Sequence, residues 1–374
     1  MNDSARMALL PNGLRDILPP HAEHEAGVLA SLCACFAGRG YDRVEPPLVE
    51  FEDALLQGGG DIASQTFRLM DPVSQRMMGM RADMTPQIAR IASTRLVKAA
   101  RPLRLSYAGA VLRVKGAQLR PERQFAQAGI EVIGSDAIAA DAEVIALCDE
   151  ALAAVGAKGV TIDLFTPSLV ARIVNGSDID HAALREALDH KDEAQVRKIA
   201  GDRAAILEKL MRASGDADRA MRKLGETDLP AEAKAEIDRL AGVIAAIRAI
   251  RPAIRLTVDP VENRGFEYHT GVSFALFGRG VRGELGRGGR YVTHGDEPAT
   301  GATLYLDTLL RALPAPSRRE RLYLPGGPET GADQRAAGWT TIAALGKSTD
   351  PAAEARRLGC THWLDGADIR TVSA

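Results

Sequence analysis

The chain has 374 residues, with 47 Lys and Arg against 49 Asp and Glu and a formal net charge of −2. That length allows two or three domains around a sizeable core, and the near balance of charge excludes a global basic footprint for nucleic acid. Four cysteines, none in metal spacing with a nearby His, are too few for a disulfide-built secreted scaffold. The opening run MNDSARMALLPNG lacks the apolar core of a signal peptide, and the apolar run at 240–247 is too short to span a bilayer. The expectation is a cytoplasmic protein with no membrane partner, no metal and no cofactor.

Residues 22–37 repeat apolar side chains at helical spacing and stop at GRGY; Cys33 continues the Leu29, Leu32, Phe36 stripe and reads as core. In DRVEPPLVEF, the adjacent Pro46 and Pro47 predict an extended, edge-like element. Strands are expected around 66–70, 76–80, 103–113 and 125–133. TPQIARIASTRLVKA has helical period, with Thr85 as the N-cap and Pro86 in the first position. Helical period returns over 138–155, placing Cys148 in the core beside Val144, Leu147 and Leu152, and GVTIDLF reads as a strand.

The tract 167–250 is rich in Ala, Leu, Arg, Asp and Glu, with helix-starting signals GSDID and DLPAE, and predicts an all-helical insertion. Strand patterns resume in IRLTVD, FEYHTGVSFALF and GRYV, and ATLYLDTLLRAL reads as the helix closing the main body. After PAPSRRER, a small α/β fragment remains, with TTIAAL and CTHWLD as strands around a DPAAEARRL helix. The expected organisation is a main domain over 1–320 and a small C-terminal region over 321–374. No internal repeat is found.

The stretch RQFAQAGIEVIG, 123–134, alternates. Ala126, Ala128, Ile130 and Val132 share one parity; Phe125, Gln127, Gly129 and Glu131 share the other. The polar parity is either the solvated outer face of an antiparallel strand or a ligand site, because Gly129 lets something approach the backbone closely.

Several blocks then fall into one order. NGLRDILPP, GYDRVEPPLVE, MRADMTPQIAR, YAGAVLRVKGAQLRPERQFAQAGIEVIGSDAIAADAEVI, NRGFEYHTGVSF and GGRY resemble the successive blocks of a histidyl-tRNA synthetase catalytic domain, a class II aminoacyl-tRNA synthetase, over about 10–313. The resemblance implies an α+β fold, an antiparallel sheet flanked by helices with a helical insertion, and a homodimer through the motif 1 proline, matched by Pro47. It also implies that Gln127 and Glu131 contact bound histidine. Asp83 and Thr85 match the family's Glu and Thr that bind the amino group, and Arg264, Tyr268 and Tyr291 match its histidine-specific arginine and tyrosines. His269 stands where a second tyrosine is expected, and a histidine can itself titrate near neutrality.

Three departures bear on activity. The family's motif 2 R-x-E is RVK here, keeping Arg113 but placing Lys115, which has no acceptor, at the adenine-binding Glu. The motif 3 pattern G-L-E-R-L is YLDTL, so Thr308 replaces the arginine that clamps the ATP phosphates. The tail is short where synthetases carry a complete anticodon-binding domain, and tRNA binding would lack its electrostatic term.

A synthetase body with a histidine pocket, a damaged ATP site and a reduced tail is similar to the regulatory subunits of ATP phosphoribosyltransferase. That resemblance implies a non-catalytic chain with no catalytic residue of its own, a homodimer within a hetero-oligomer, a hetero-octamer in the family's manner, with the short-form catalytic subunit as partner and L-histidine as effector. The alternatives are a divergent histidyl-tRNA synthetase, or a synthetase-derived protein acting on another amino acid or on tRNA. Arg113 and Arg123, flanking the polar GAQLRPER loop, are an anion-binding candidate.

Overall fold

The computed structural model describes residues 9–56, 60–118, 120–262 and 269–372. It divides into two compact units, one of 9–18 and 22–314 and the other of 19–21 and 315–372.

In the larger unit the strands are β1 (Asp42–Arg43), β2 (Val49–Phe51), β3 (Phe67–Met70), β4 (Met77–Met80), β5 (Leu103–Leu112), β6 (Gln124–Ile133), β7 (Thr161–Phe165), β8 (Gly215–Asp216), β9 (Leu256–Asp259), β10 (Ser273–Phe277), β11 (Glu284–Val292) and β12 (Pro298–Tyr305). Nine of them form one sheet in the order β1-β5-β6-β12-β11-β10-β7-β9-β8. Its pairings are antiparallel except β1 with β5 and β7 with β9. The small sheet β2-β4-β3 is antiparallel throughout.

The alternation in β6 decides how the sheet is covered. Ala126, Ala128, Ile130 and Val132 enter the larger core, shared with Leu32 and Phe36 of the helix His21–Gly38 and with Val144, Leu147 and Cys148 of the helix Ile138–Ala154. Phe125 and Ile133 enter a second core on the opposite parity, with Met84, Ile88 and Ala92 from the helix Thr85–Thr94 and its entry. Period-2 strands sandwiched this way have no solvated face. The outer-face reading of β6 is therefore overturned: Gln127 is 0% exposed and Glu131 1%.

The insertion is helical apart from the two-residue β8, running from Ser168–Val174 to Ala231–Ile250. Three of its helices begin at an aspartate whose carboxylate accepts backbone N–H groups: Asp180, Asp192 and Asp216. The DLPAE signal also starts a helix, but from Pro230 without a side-chain cap.

Three local expectations are corrected. Thr85 is inside its helix and Met84 is the cap position, because Thr85 Oγ1 is turned to Tyr107 Oη (3.1 Å) instead of to its own backbone. That helix also ends at Thr94, where the Ser93 and Thr94 hydroxyls donate back to the carbonyls of Ala89 and Arg90 and the Leu96 N–H closes on Ile91. The stretch 302–305 is strand, the helix being Leu306–Ala312. Ala302 and Leu304 fill the larger core while Tyr305 fills the second, a period of two that the leucines following it mask in the sequence.

In the smaller unit, β13 (Arg321–Leu324), β14 (Thr340–Ala343), β15 (His362–Asp365) and β16 (Asp368–Thr371) pair in the order β14-β13-β15-β16. Tyr323, Ala344, Ala355 and Cys360 make its core, with Ala355 supplied by the helix Pro351–Arg357. Among the described residues no helix is long and apolar enough to cross a membrane.

Candidate functional site

The polar parity of β6 meets strands on both sides and the 83–85 segment. In β5, Tyr107 lies directly opposite Gly129, and in β12, Gly301 lies opposite Glu131. A Cβ added at Gly129 would fall 2.2 Å from Tyr107 Cζ, so the close approach that this glycine permits is made by a ring of the protein itself. A Cβ at Gly301 would fall 1.6 Å from Glu131 Oε2. Both glycines make room for the side chains that build the site.

Glu131 accepts from the Tyr291 hydroxyl at 2.9 Å, and Tyr107 Oη lies 3.5 Å from its other oxygen. Tyr107 Oη is 2.7 Å from Thr303 Oγ1 and 3.1 Å from Thr85 Oγ1. No Lys or Arg nitrogen lies within ion-pair distance of Glu131 among the described residues. Burial therefore pushes its carboxyl up to about 8, against the hydrogen bond from Tyr291, with the Asp83 charge pushing the same way. Burial likewise raises the Tyr107 phenol.

A second arm is built from Asp83. Gln127 Nε2 donates to Asp83 Oδ2 at 2.9 Å, while Gln127 Oε1 accepts from the Met84 N–H at 3.2 Å. The Thr85 N–H donates to Asp83 Oδ1 at 2.9 Å, and Arg113 Nη2 approaches Oδ2 to 3.9 Å. The result is two carboxylates of different character on one wall. Asp83 sits in a mesh of donors, whereas Glu131 has hydroxyls for neighbours and, among the described residues, no cation. Such a wall suits a ligand that brings its own N–H donors and positive charge.

The structure brings together Asp83, Thr85, Gln127, Glu131 and Tyr291 from the sequence candidates, with Arg113 at the edge. His269 is 6% exposed and packs against Gly289, where an added Cβ would lie 2.5 Å from its ring. Arg264 and Tyr268 lie outside the described residues. Arg123 is committed elsewhere: its Nε donates to Arg113 O and its Nη1 to Asn12 O, both at 3.1 Å, and it covers the Phe67 ring. Tyr107, Gly301 and Thr303 were missed by sequence reasoning. Thr303 fell inside the stretch taken for helix, and the register that sets Gly301 opposite Glu131 has no local sequence signal.

Where the motif patterns depart, Lys115 is exposed and Thr308 is fully buried, accepting from Arg311 Nη2 at 3.2 Å. Among the described residues, no group of His, Cys, Asp or Glu is arranged to hold a metal ion.

The chain matches the histidyl-tRNA synthetase family over residues 13–309. It is 58% identical over 372 residues to the ATP phosphoribosyltransferase regulatory subunit of Paramagnetospirillum magneticum, covering 97% of this chain and 98% of that one. With the ATP phosphoribosyltransferase regulatory subunit of Rhodospirillum centenum the identity is 55% over 376 residues, covering 99% and 97%. A solved ATP phosphoribosyltransferase regulatory subunit/histidyl-tRNA synthetase from Bacillus halodurans superposes with a TM-score of 0.81 at 24% identity, covering 93% of this chain and 96% of that one. Histidyl-tRNA synthetase from Nostoc sp. PCC 7120 does so with a TM-score of 0.78 at 20% identity, covering 95% and 90%. At those identities the two structures speak for the fold alone.

Proposed function

Because the chain belongs to the family of ATP phosphoribosyltransferase regulatory subunits, built on a histidyl-tRNA synthetase-type body, we propose that it binds L-histidine at the Glu131 wall and relays that binding to a catalytic partner. The partner is the short-form catalytic subunit, which joins ATP and phosphoribosyl pyrophosphate. The chain makes the assembly active, and histidine bound to it provides feedback inhibition. We place this assembly in the cytoplasm, as a homodimer of this chain within a hetero-octamer.

The observation that carries the ligand assignment is the fully buried Glu131, hydrogen-bonded by Tyr291 and, among the described residues, lacking a cationic neighbour. An imidazole N–H donated to that carboxylate supplies the missing partner. The α-ammonium group has Asp83 and Thr85 to meet, with Gln127 fixing Asp83 between them. Tyr268, Arg264 and His269 complete the proposed histidine set. An inhibitor acting this way has to bind one state of the complex more tightly than another, and the coupling is reciprocal. Thr308 at the place of the motif 3 arginine favours this reading over histidine activation by a divergent synthetase.

The test is phosphoribosyl-ATP formation by a short-form catalytic subunit, with and without this chain, across a histidine titration. Activation by the chain, and inhibition by histidine only in its presence, are the expected results. Histidine-dependent exchange of pyrophosphate into ATP by the chain alone would overturn the reading.

A further inference from the structure

At the tip of the β5–β6 connection, residues 115–118 are exposed, yet Arg120 turns inward. Ala117 and Arg120 exchange backbone hydrogen bonds of 2.8 and 3.0 Å, which fixes the tip, and the Arg120 side chain is 12% exposed. Its guanidinium carbon lies 3.8 Å from the centroid of the Tyr305 ring and 4.6 Å from that of Phe125. The two rings stand edge to face at 6.3 Å, so they form a corner that the guanidinium fills.

The anionic side of this corner is Asp307, at the start of the helix Leu306–Ala312, with a side chain 1% exposed. Arg120 Nε donates to Asp307 Oδ2 at 3.1 Å. Asp307 Oδ1 and Arg120 Nη2 are both buried without a partner. Arginine and a carboxylate that are free to choose form a two-point fork. This pair forgoes the second bond, so contact with the rings, more than the carboxylate, fixes where the guanidinium sits. A flat group with N–H donors, lying on an aromatic ring and pointing at a carboxylate, has the same recognition features as an aminopurine edge. The motif pattern G-L-E-R-L begins with glycine where this chain has Tyr305, so one wall of the corner is a side chain that the pattern lacks.

We propose that Arg120 is an internal plug. Its guanidinium occupies an aromatic corner made by Phe125 and Tyr305 that would otherwise accept a planar, amino-bearing heterocycle such as adenine, and so closes this end of the site to nucleosides. The plug stands independently of the histidine assignment. Its consequence for regulation rests on that assignment: the chain responds to histidine whatever the concentration of ATP.

Adenosine binding to the full chain, followed by saturation-transfer NMR and calorimetry, tests this. Wild type should show no binding. Arg120→Ala should gain affinity about tenfold or more above the wild-type limit, adenosine exceeding inosine, which lacks the amino donor. Arg120→Ala leaves a buried carboxylate unpaired and can fail to fold, so the double variant Arg120→Ala/Asp307→Asn, which removes both charges, is measured beside it. Wild type binding adenosine as tightly as the variants overturns the proposal, and so does a folded double variant that gains nothing. Histidine binding in the same samples reports separately on the amino-acid site and is expected to persist.

Discussion

Strand β6 passes through two kinds of surroundings. Around Gln127 and Glu131 the polar groups are buried with incomplete charge compensation, whereas around Phe125 the neighbouring cation is already matched by rings and by Asp307. Among the described residues one end has hydroxyl donors but no cation at Glu131, and the other supplies its own cation. The difference teaches that a single alternating strand can keep a ligand site and close its neighbour, because each polar position is completed by a different strand or loop.

The largest effect belongs to the frame that both regions share. On the other face of the sheet, buried Asp141 accepts from Arg290 and Thr300 and pairs with Arg239 of the insertion. Asp141→Ala takes the buried counter-charge from Arg290, leaving it the exposed Asp136 carboxylate and the Ser135 and Ala137 carbonyls, and should cost about 3–5 kcal/mol in denaturant unfolding. The histidine affinity of the remaining folded chain should stay unchanged. A large loss of affinity at full stability would break the separation between frame and site.

Glu131→Gln keeps the shape but removes the charge. It should weaken histidine binding by about 1.5–3 kcal/mol, roughly ten- to a hundredfold by calorimetry. Gly301→Ala attacks the same carboxylate from the backbone and should lower stability by about 1–3 kcal/mol while also impairing histidine binding. Equal histidine binding by wild type and either variant would move the ligand away from Glu131.

The comparison sharpens with pH. A Glu131 carboxyl raised to about 8 holds its proton in the folded chain after the unfolded chain has released it. Its contribution to the stability of the ligand-free chain is fully present below the ordinary carboxyl range and is lost as pH rises toward about 8. The slope is at most roughly 1.4 kcal/mol per unit. Thermal unfolding between those limits should fall with pH in wild type and less so in Glu131→Gln. Histidine affinity should rise over the same interval, since binding favours the carboxylate. The smallest effect is expected at exposed Lys115, where Lys115→Ala should stay within about 0.5 kcal/mol in stability and leave histidine affinity unaltered.

Much of this was legible in the sequence. Periodicity located the strands 103–113 and 125–133 and the helix at 138–155 to within a residue or so of Leu103–Leu112, Gln124–Ile133 and Ile138–Ala154. Those elements are long and their alternation is clean. GRYV was read short because β11 begins at Glu284 in a glycine-rich run, and glycines carry no hydropathy pattern. The 302–305 stretch was misread because the leucines at 306, 309 and 310 impose helical spacing on a window that also spans the end of a strand.

By itself, the sequence determined the types of groups available: an amide and a carboxylate on one parity of a strand, the altered motifs at Lys115 and Thr308, and the order of elements that carries them. These follow from local spacing, which a single chain displays directly. The tertiary structure alone decided that Gly301 stands against Glu131, that Tyr107 fills the space over Gly129, and that Arg120 returns to lie against Tyr305. These juxtapositions are set by strand register and by side chains far apart in the chain. Their energies depend on exclusion of water, and no local stretch of sequence encodes that exclusion.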